Sequence, residues 1–144
     1  MLNRTDVPLL EDNPDDVALT LRAFRLNPMS HTVVFARDGV DALDCLFGSA
    51  ARALPRLVVL DLKLPRLDGM GVLKAIRADP RTCLIPVLIL TSSMQGDDLA
   101  TCYTLGVKSY LVKPIDFSRF VSMVALMTKY WLTSNQNAPP QVRP

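Results

Sequence analysis

The chain has 144 residues, 49% of them hydrophobic and 21% charged, with a formal net charge of +2. That suits one globular domain with a proper core, and a small, scattered charge argues against a nucleic-acid or membrane-surface partner. The longest apolar stretch, Leu84 to Leu90, is too short to span a bilayer, no apolar leader follows Arg4, and three cysteines (Cys45, Cys83, Cys102) fit a reducing cytoplasm as buried, unreactive thiols.

The first strand spans roughly Val7 to Glu11. Pro8 removes a ladder donor, so this strand either begins in effect at Leu9 or is distorted there. Asn13 caps a helix that carries Pro14 in its first turn and runs to about Leu26, with Val17, Leu21 and Phe24 facing inward. Thr32 to Ala36 is a second strand, Asp38-Gly39 a turn, and Val40 to Phe47 a short helix closed by Gly48. The third strand reaches Asp61, and a shaped loop with Pro65 and Asp68-Gly69 leads to a third helix ending near Ala78. The fourth strand ends at Thr91, the fourth helix spans about Gly96 to Leu105 with Gly106 as its cap, and the fifth strand ends at Lys113-Pro114. A fifth helix starts at Asp116 or Ser118 and runs to about Leu132, and Thr133 to Pro144 reads as a mobile polar tail. Five strand–helix alternations imply an α/β fold, a three-layer (βα)5 sandwich with right-handed crossovers.

Four strands are apolar runs that stop at a polar residue: Glu11-Asp12, Asp61, Thr91 and Lys113. Such runs suit a buried parallel sheet, and ligands of open parallel sheets bind outside the carboxyl ends of the strands. Singly, each residue has a plainer use. Glu11-Asp12 and Asp61 could start turns, Thr91-Ser92-Ser93 could cap a helix, and Lys113 could be solvated. Jointly they suit a phosphoryl group on Asp61. Three carboxylates favour a hard divalent cation, Mg²⁺ above all, while Lys113 adds a positive charge and Thr91 a hydroxyl.

These residues carry a resemblance. Glu11-Asp12-Asn13, Asp61, Pro65, Asp68-Gly69, Thr91-Ser92 and Lys113-Pro114 resemble the motifs of a chemotaxis-type response-regulator receiver domain. Thr91 lies 30 residues beyond Asp61, and Lys113 lies 22 beyond Thr91, at the family's intervals. The resemblance covers about Val7 to Leu132, with the receiver domain placed at 1–132 and the tail at 133–144. It implies a flavodoxin-like sheet of order 2-1-3-4-5 and Asp61 as phosphoacceptor. It further implies Mg²⁺ or Mn²⁺ held by Glu11, Asp12, Asp61 and the Lys63 carbonyl, with Glu11 acting through water. Lys113 then pairs with the phosphoryl group before a cis Pro114, Thr91 and Ser92 reach it, and Tyr110 turns inward with Thr91 as the switch. Lys63 and Ser93 flank the path of the hydrolytic water and are expected to tune the lifetime of the phosphorylated state.

Glu11 to Asp16, Ala36-Arg37-Asp38-Gly39, Thr91-Ser92-Ser93 and Tyr130-Trp131-Leu132 are similar to stand-alone receivers that partner phytochrome-type histidine kinases. This implies a cytoplasmic signalling protein with a sensor histidine kinase as phosphodonor and no substrate turnover. No output domain is expected after Leu132. A relay to a histidine phosphotransfer protein is the alternative use.

The fifth helix carries two apolar stripes. Phe117, Phe120, Val121, Val124 and Trp131 form the face for the sheet, and Met123, Leu126 and Tyr130 form a second line that suits a homodimer or docking interface. Two other readings are weaker. An Asp-nucleophile phosphatase of the haloacid dehalogenase type needs a second acid at position 63, where lysine stands. A flavin-phosphate binder would face repulsion from three clustered carboxylates.

Overall fold

In the computed structural model of the chain, the described residues are 6–11, 13–26, 32–47, 55–62, 68–91, 96–112 and 116–131. The strands are β1 (Asp6–Leu10), β2 (Thr32–Ala36), β3 (Val58–Leu60), β4 (Val87–Thr91) and β5 (Ser109–Val112). They alternate with the helices α1 (Pro14–Arg25), α2 (Gly39–Phe47), α3 (Gly69–Ala78), α4 (Gly96–Thr104) and α5 (Phe117–Lys129). All neighbours pair in parallel, in the order β2-β1-β3-β4-β5. The expected tail at 133–144 lies outside the described residues.

Two apolar cores sandwich the sheet, because alternate residues of a strand point to opposite faces. Leu10, Leu60 and Ile89 meet Val72, Leu73 and Ile76 of α3 on one face. Leu9, Val59, Leu88 and Leu90 meet Phe24 of α1 and Phe120 and Val124 of α5 on the other. Val87 to Thr91 is buried at every position, as a central parallel strand requires.

Short polar side chains start the helices. Asn13 Oδ1 accepts from the Asp15 and Asp16 N–H groups at 2.9 and 3.2 Å. Asp38 Oδ1 accepts from Asp41 N–H at 2.8 Å, while Asp41 Oδ2 accepts from Arg37 N–H at 3.2 Å. Asp68 caps α3 through Gly71 N–H, and Asp116 caps α5 through Arg119 N–H. Each cap satisfies main-chain donors that have no partner inside the helix.

Three expectations change. β1 does not begin at Leu9: it runs through Pro8, which stands opposite Val34 of β2, and the ladder to β3 begins at Leu9 opposite Val59. The Leu10 carbonyl accepts from Asp61 N–H, so by the two-residue period Pro8 faces β3 as well. Its missing donor therefore falls at the start of that ladder, where proline is tolerated. On α1 the buried residues are Thr20, Ala23 and Phe24, whereas Val17 and Leu21 are only half-buried. Of the cysteines only Cys102 is buried; Cys45 and Cys83 are half-buried.

Candidate functional site

The sheet brings Glu11, Asp61 and Thr91 to the carboxyl ends of three neighbouring strands, β1, β3 and β4. Leu10 stands opposite Leu60, so Glu11 and Asp61 are the next residues of adjacent strands. Main-chain bonds hold both: Glu11 N–H donates to the Ala36 carbonyl at 3.1 Å and Asp61 N–H to the Leu10 carbonyl at 3.0 Å. Leu60 stands opposite Ile89, which puts Thr91 two residues further along the next strand. Thr91 in turn stands opposite Val112, the last residue of β5.

All three side chains are sunk into the edge, with Glu11 3%, Asp61 6% and Thr91 0% exposed. Carboxylates are almost never buried this deeply without a partner. For Glu11 one partner is local: its Oε1 accepts from the Asn13 N–H at 3.1 Å. Asn13 is also the cap of α1, so the Glu11 carboxylate and the start of α1 share one hydrogen-bonded unit.

Asp61 is held from the α3 side too. Asp68 caps α3, Gly69 N–H donates to the Leu62 carbonyl at 3.3 Å, and Gly69 lies against the Asp61 backbone. A side chain at position 69 would displace the segment that carries the carboxylate. This contact was invisible in the sequence, where Asp68-Gly69 read only as a turn.

A divalent cation fits the donor set. Glu11 and Asp61 offer only hard oxygen atoms at neighbouring strand ends, which suit Mg²⁺ or Mn²⁺ rather than a soft metal. Among the described residues no group of three or more His, Cys, Asp or Glu side chains could hold a metal. The expected third carboxylate, Asp12, lies outside the described residues, as do Lys63, Ser92, Ser93, Lys113 and Pro114.

Tyr110 is half-buried on β5 and packs against the α2–α3 core. On α5, Phe120 and Val124 are buried while Phe117, Val121 and Trp131 pack against them; Met127 joins this face, which the stripe reading left out. Of the second stripe, Met123 is half-buried, whereas Leu126 is 70% and Tyr130 51% exposed. Among the described residues no helix is long and apolar enough to cross a membrane.

Comparison with known proteins agrees with this architecture. Residues 7–125 match the response regulator receiver domain. The probable methanogenesis regulatory protein FilR2 of Methanothrix harundinacea is 40% identical over 134 residues, which cover 92% of this chain and 86% of FilR2. Response regulator Rcp1 of Synechocystis is 33% identical over 86% of both chains, and its Mn²⁺-bound structure superposes with a TM-score of 0.81. The phosphorylated cyanobacterial phytochrome response regulator RcpA is 34% identical, with a TM-score of 0.83 over 93% of this chain and 98% of its own.

Proposed function

Because the chain belongs to the response regulator receiver family, we propose that it takes a phosphoryl group onto Asp61 from a sensor histidine kinase and passes the change to its α4–β5–α5 surface. The observation that carries this reading is the burial of Glu11, Asp61 and Thr91 at three neighbouring strand ends.

In the proposed reaction an Asp61 carboxylate oxygen attacks phosphorus in line. The new O–P bond forms as the donor's P–N bond breaks, and the electron pair returns to the donor imidazole. Glu11, Asp12, Asp61 and the Lys63 carbonyl would hold Mg²⁺ or Mn²⁺, which when bound offsets the charge on the phosphoryl oxygens. Lys113, ahead of Pro114, would pair with the phosphoryl group, with Thr91 and Ser92 donating to it. Removal of Thr91 from its apoprotein position would let Tyr110 turn inward, a local charge change biasing a two-state surface.

The chain then acts as a switch without substrate turnover, a receiver domain over residues 1–132 working in the cytoplasm. RcpA, named as a phytochrome response regulator, supports a phytochrome-type kinase as donor. Exposed Leu126 on α5 and Tyr130 at its C-terminal cap, with Leu99 and Tyr103 exposed on α4, support a homodimer through this surface.

Intact mass after incubation with acetyl phosphate and Mg²⁺ tests the reading. Wild type should gain one phosphoryl group and Asp61→Asn none; a wild type without mass gain overturns it. Replacing Lys63 and Ser93 together should change the lifetime of that mass gain, and an unchanged lifetime removes them from its control.

A further inference from the structure

Arg77, in the last turn of α3, donates to four main-chain carbonyls on two other segments. Nη1 reaches Cys83 at 3.0 Å and Ile85 at 2.8 Å, in the turn that enters β4. Nε reaches Leu105 at 2.5 Å and Nη2 reaches Gly106 at 3.2 Å, at the end of α4. The planar fork of a guanidinium can serve carbonyls on two sides at once; an ammonium cannot do so in fixed geometry.

The end of α4 explains why these carbonyls need an outside donor. Gly106 has φ of 75°, its N–H donates to the Tyr103 carbonyl at 3.0 Å, and Val107 N–H donates to the Cys102 carbonyl at 3.2 Å. This is a Schellman closure, which uses the Cys102 and Tyr103 carbonyls and leaves those of Leu105 and Gly106 without a helical donor. A cation at the negative end of the helix is also favourable. Burial lowers the Arg77 pKa, and the carbonyls compensate for its lost hydration.

The other end of α4 is held differently. Gly96, Asp97, Leu99 and Ala100 are exposed, and a Cβ at Gly96 would meet nothing within 4 Å. Cys102 is the only fully buried residue of the helix.

We propose that Arg77 is the pivot of α4: it clasps the carbonyl end of the helix to α3 and the root of β4, so that the helix swings at its Gly96 end. The clasp stands by itself; the use of that swing in signalling rests on phosphorylation of Asp61.

Amide hydrogen exchange on the full chain tests it, with Arg77→Met and Arg77→Lys beside wild type. Without phosphodonor, Arg77→Met should speed exchange of the Leu105, Gly106 and Val107 amides at least tenfold while β1 and α1 keep wild-type rates. Arg77→Lys should restore part of that protection. Unchanged exchange at those three amides, or an equal rise throughout the chain, overturns the clasp. If Arg77→Met does not fold, Arg77→Lys is judged by the same amides. With acetyl phosphate and Mg²⁺, exchange changes along wild-type α4 should stop ahead of Cys102, and in the Arg77 variants they should extend to Val107. A wild-type change that already extends to Val107 overturns the pivot. Absence of mass gain on Asp61 removes the phosphorylation reading alone, and the first comparison then decides the clasp.

Discussion

Gly69 stands directly against the main chain of Asp61. A Cβ built on Gly69 would overlap the Asp61 carbonyl oxygen and lie 2.9 Å from the Leu62 Cα. Neither obstacle is a side-chain tip that could rotate away, so the start of α3 and the end of β3 can approach this closely only with glycine at position 69. Gly69→Ala should cost about 1–3 kcal/mol, the range for overpacking a buried position. It should also slow phosphoryl uptake, because the backbone under Asp61 must shift. Urea unfolding and the rate of mass gain measure the two effects, and a variant matching wild type in both would show that the contact is not limiting.

Asn13 links the acidic end of β1 to α1. Asn13→Ala removes the side chain that caps Asp15 and Asp16 and should lower stability by about 1 kcal/mol. Asn13→Ser should recover most of that loss, since a serine oxygen caps almost as well. Equal stability of the alanine and serine variants in urea would remove the cap from the account.

The buried Cys102 thiol has its pKa pushed up to about 11, chiefly by burial and further by the Asp98 carboxylate. The unfolded thiol ionises near its ordinary value of 9.0 while the folded one keeps its proton. The folded state thus binds more protons in that interval, and stability should fall as pH rises from about 9 to 11. Urea midpoints across this range should drop more steeply for wild type than for Cys102→Ala. Parallel slopes would assign the loss to other groups.

Leu126 and Tyr130 expose much of their apolar surface on α5. Replacing both with glutamate should change monomer stability by no more than about 0.5 kcal/mol, as at surface positions generally. Sedimentation should show wild type self-associating at micromolar concentration and the variant monomeric. A monomeric wild type, with and without phosphodonor, ends the homodimer proposal.

The order of elements was legible because each period is local. Alternation of apolar runs with helical stripes located all five strands, and Asn13 and Asp116 marked helix starts at positions where they cap, whereas the Asp68 cap reads in the sequence only as part of a turn. The candidate edge was legible for a related reason. A parallel sheet collects its strand ends on one side, so the strand pattern alone groups Glu11, Asp61 and Thr91.

What the sequence by itself determined is therefore the class of fold, the family and the edge at which Glu11, Asp61 and Thr91 end their strands. Only the tertiary structure decided how neighbouring segments meet there. Pro8 could be placed only once the registers to β2 and β3 were known. The demand for glycine at position 69 comes from a carbonyl on another strand. Nothing in the sequence singles out Arg77, whose partners lie six to 29 residues away, on two separate segments. Periodicity reports which face of an element is apolar. It carries no record of which carbonyl or Cα will stand opposite a given atom, and those pairings arise only when the layers close.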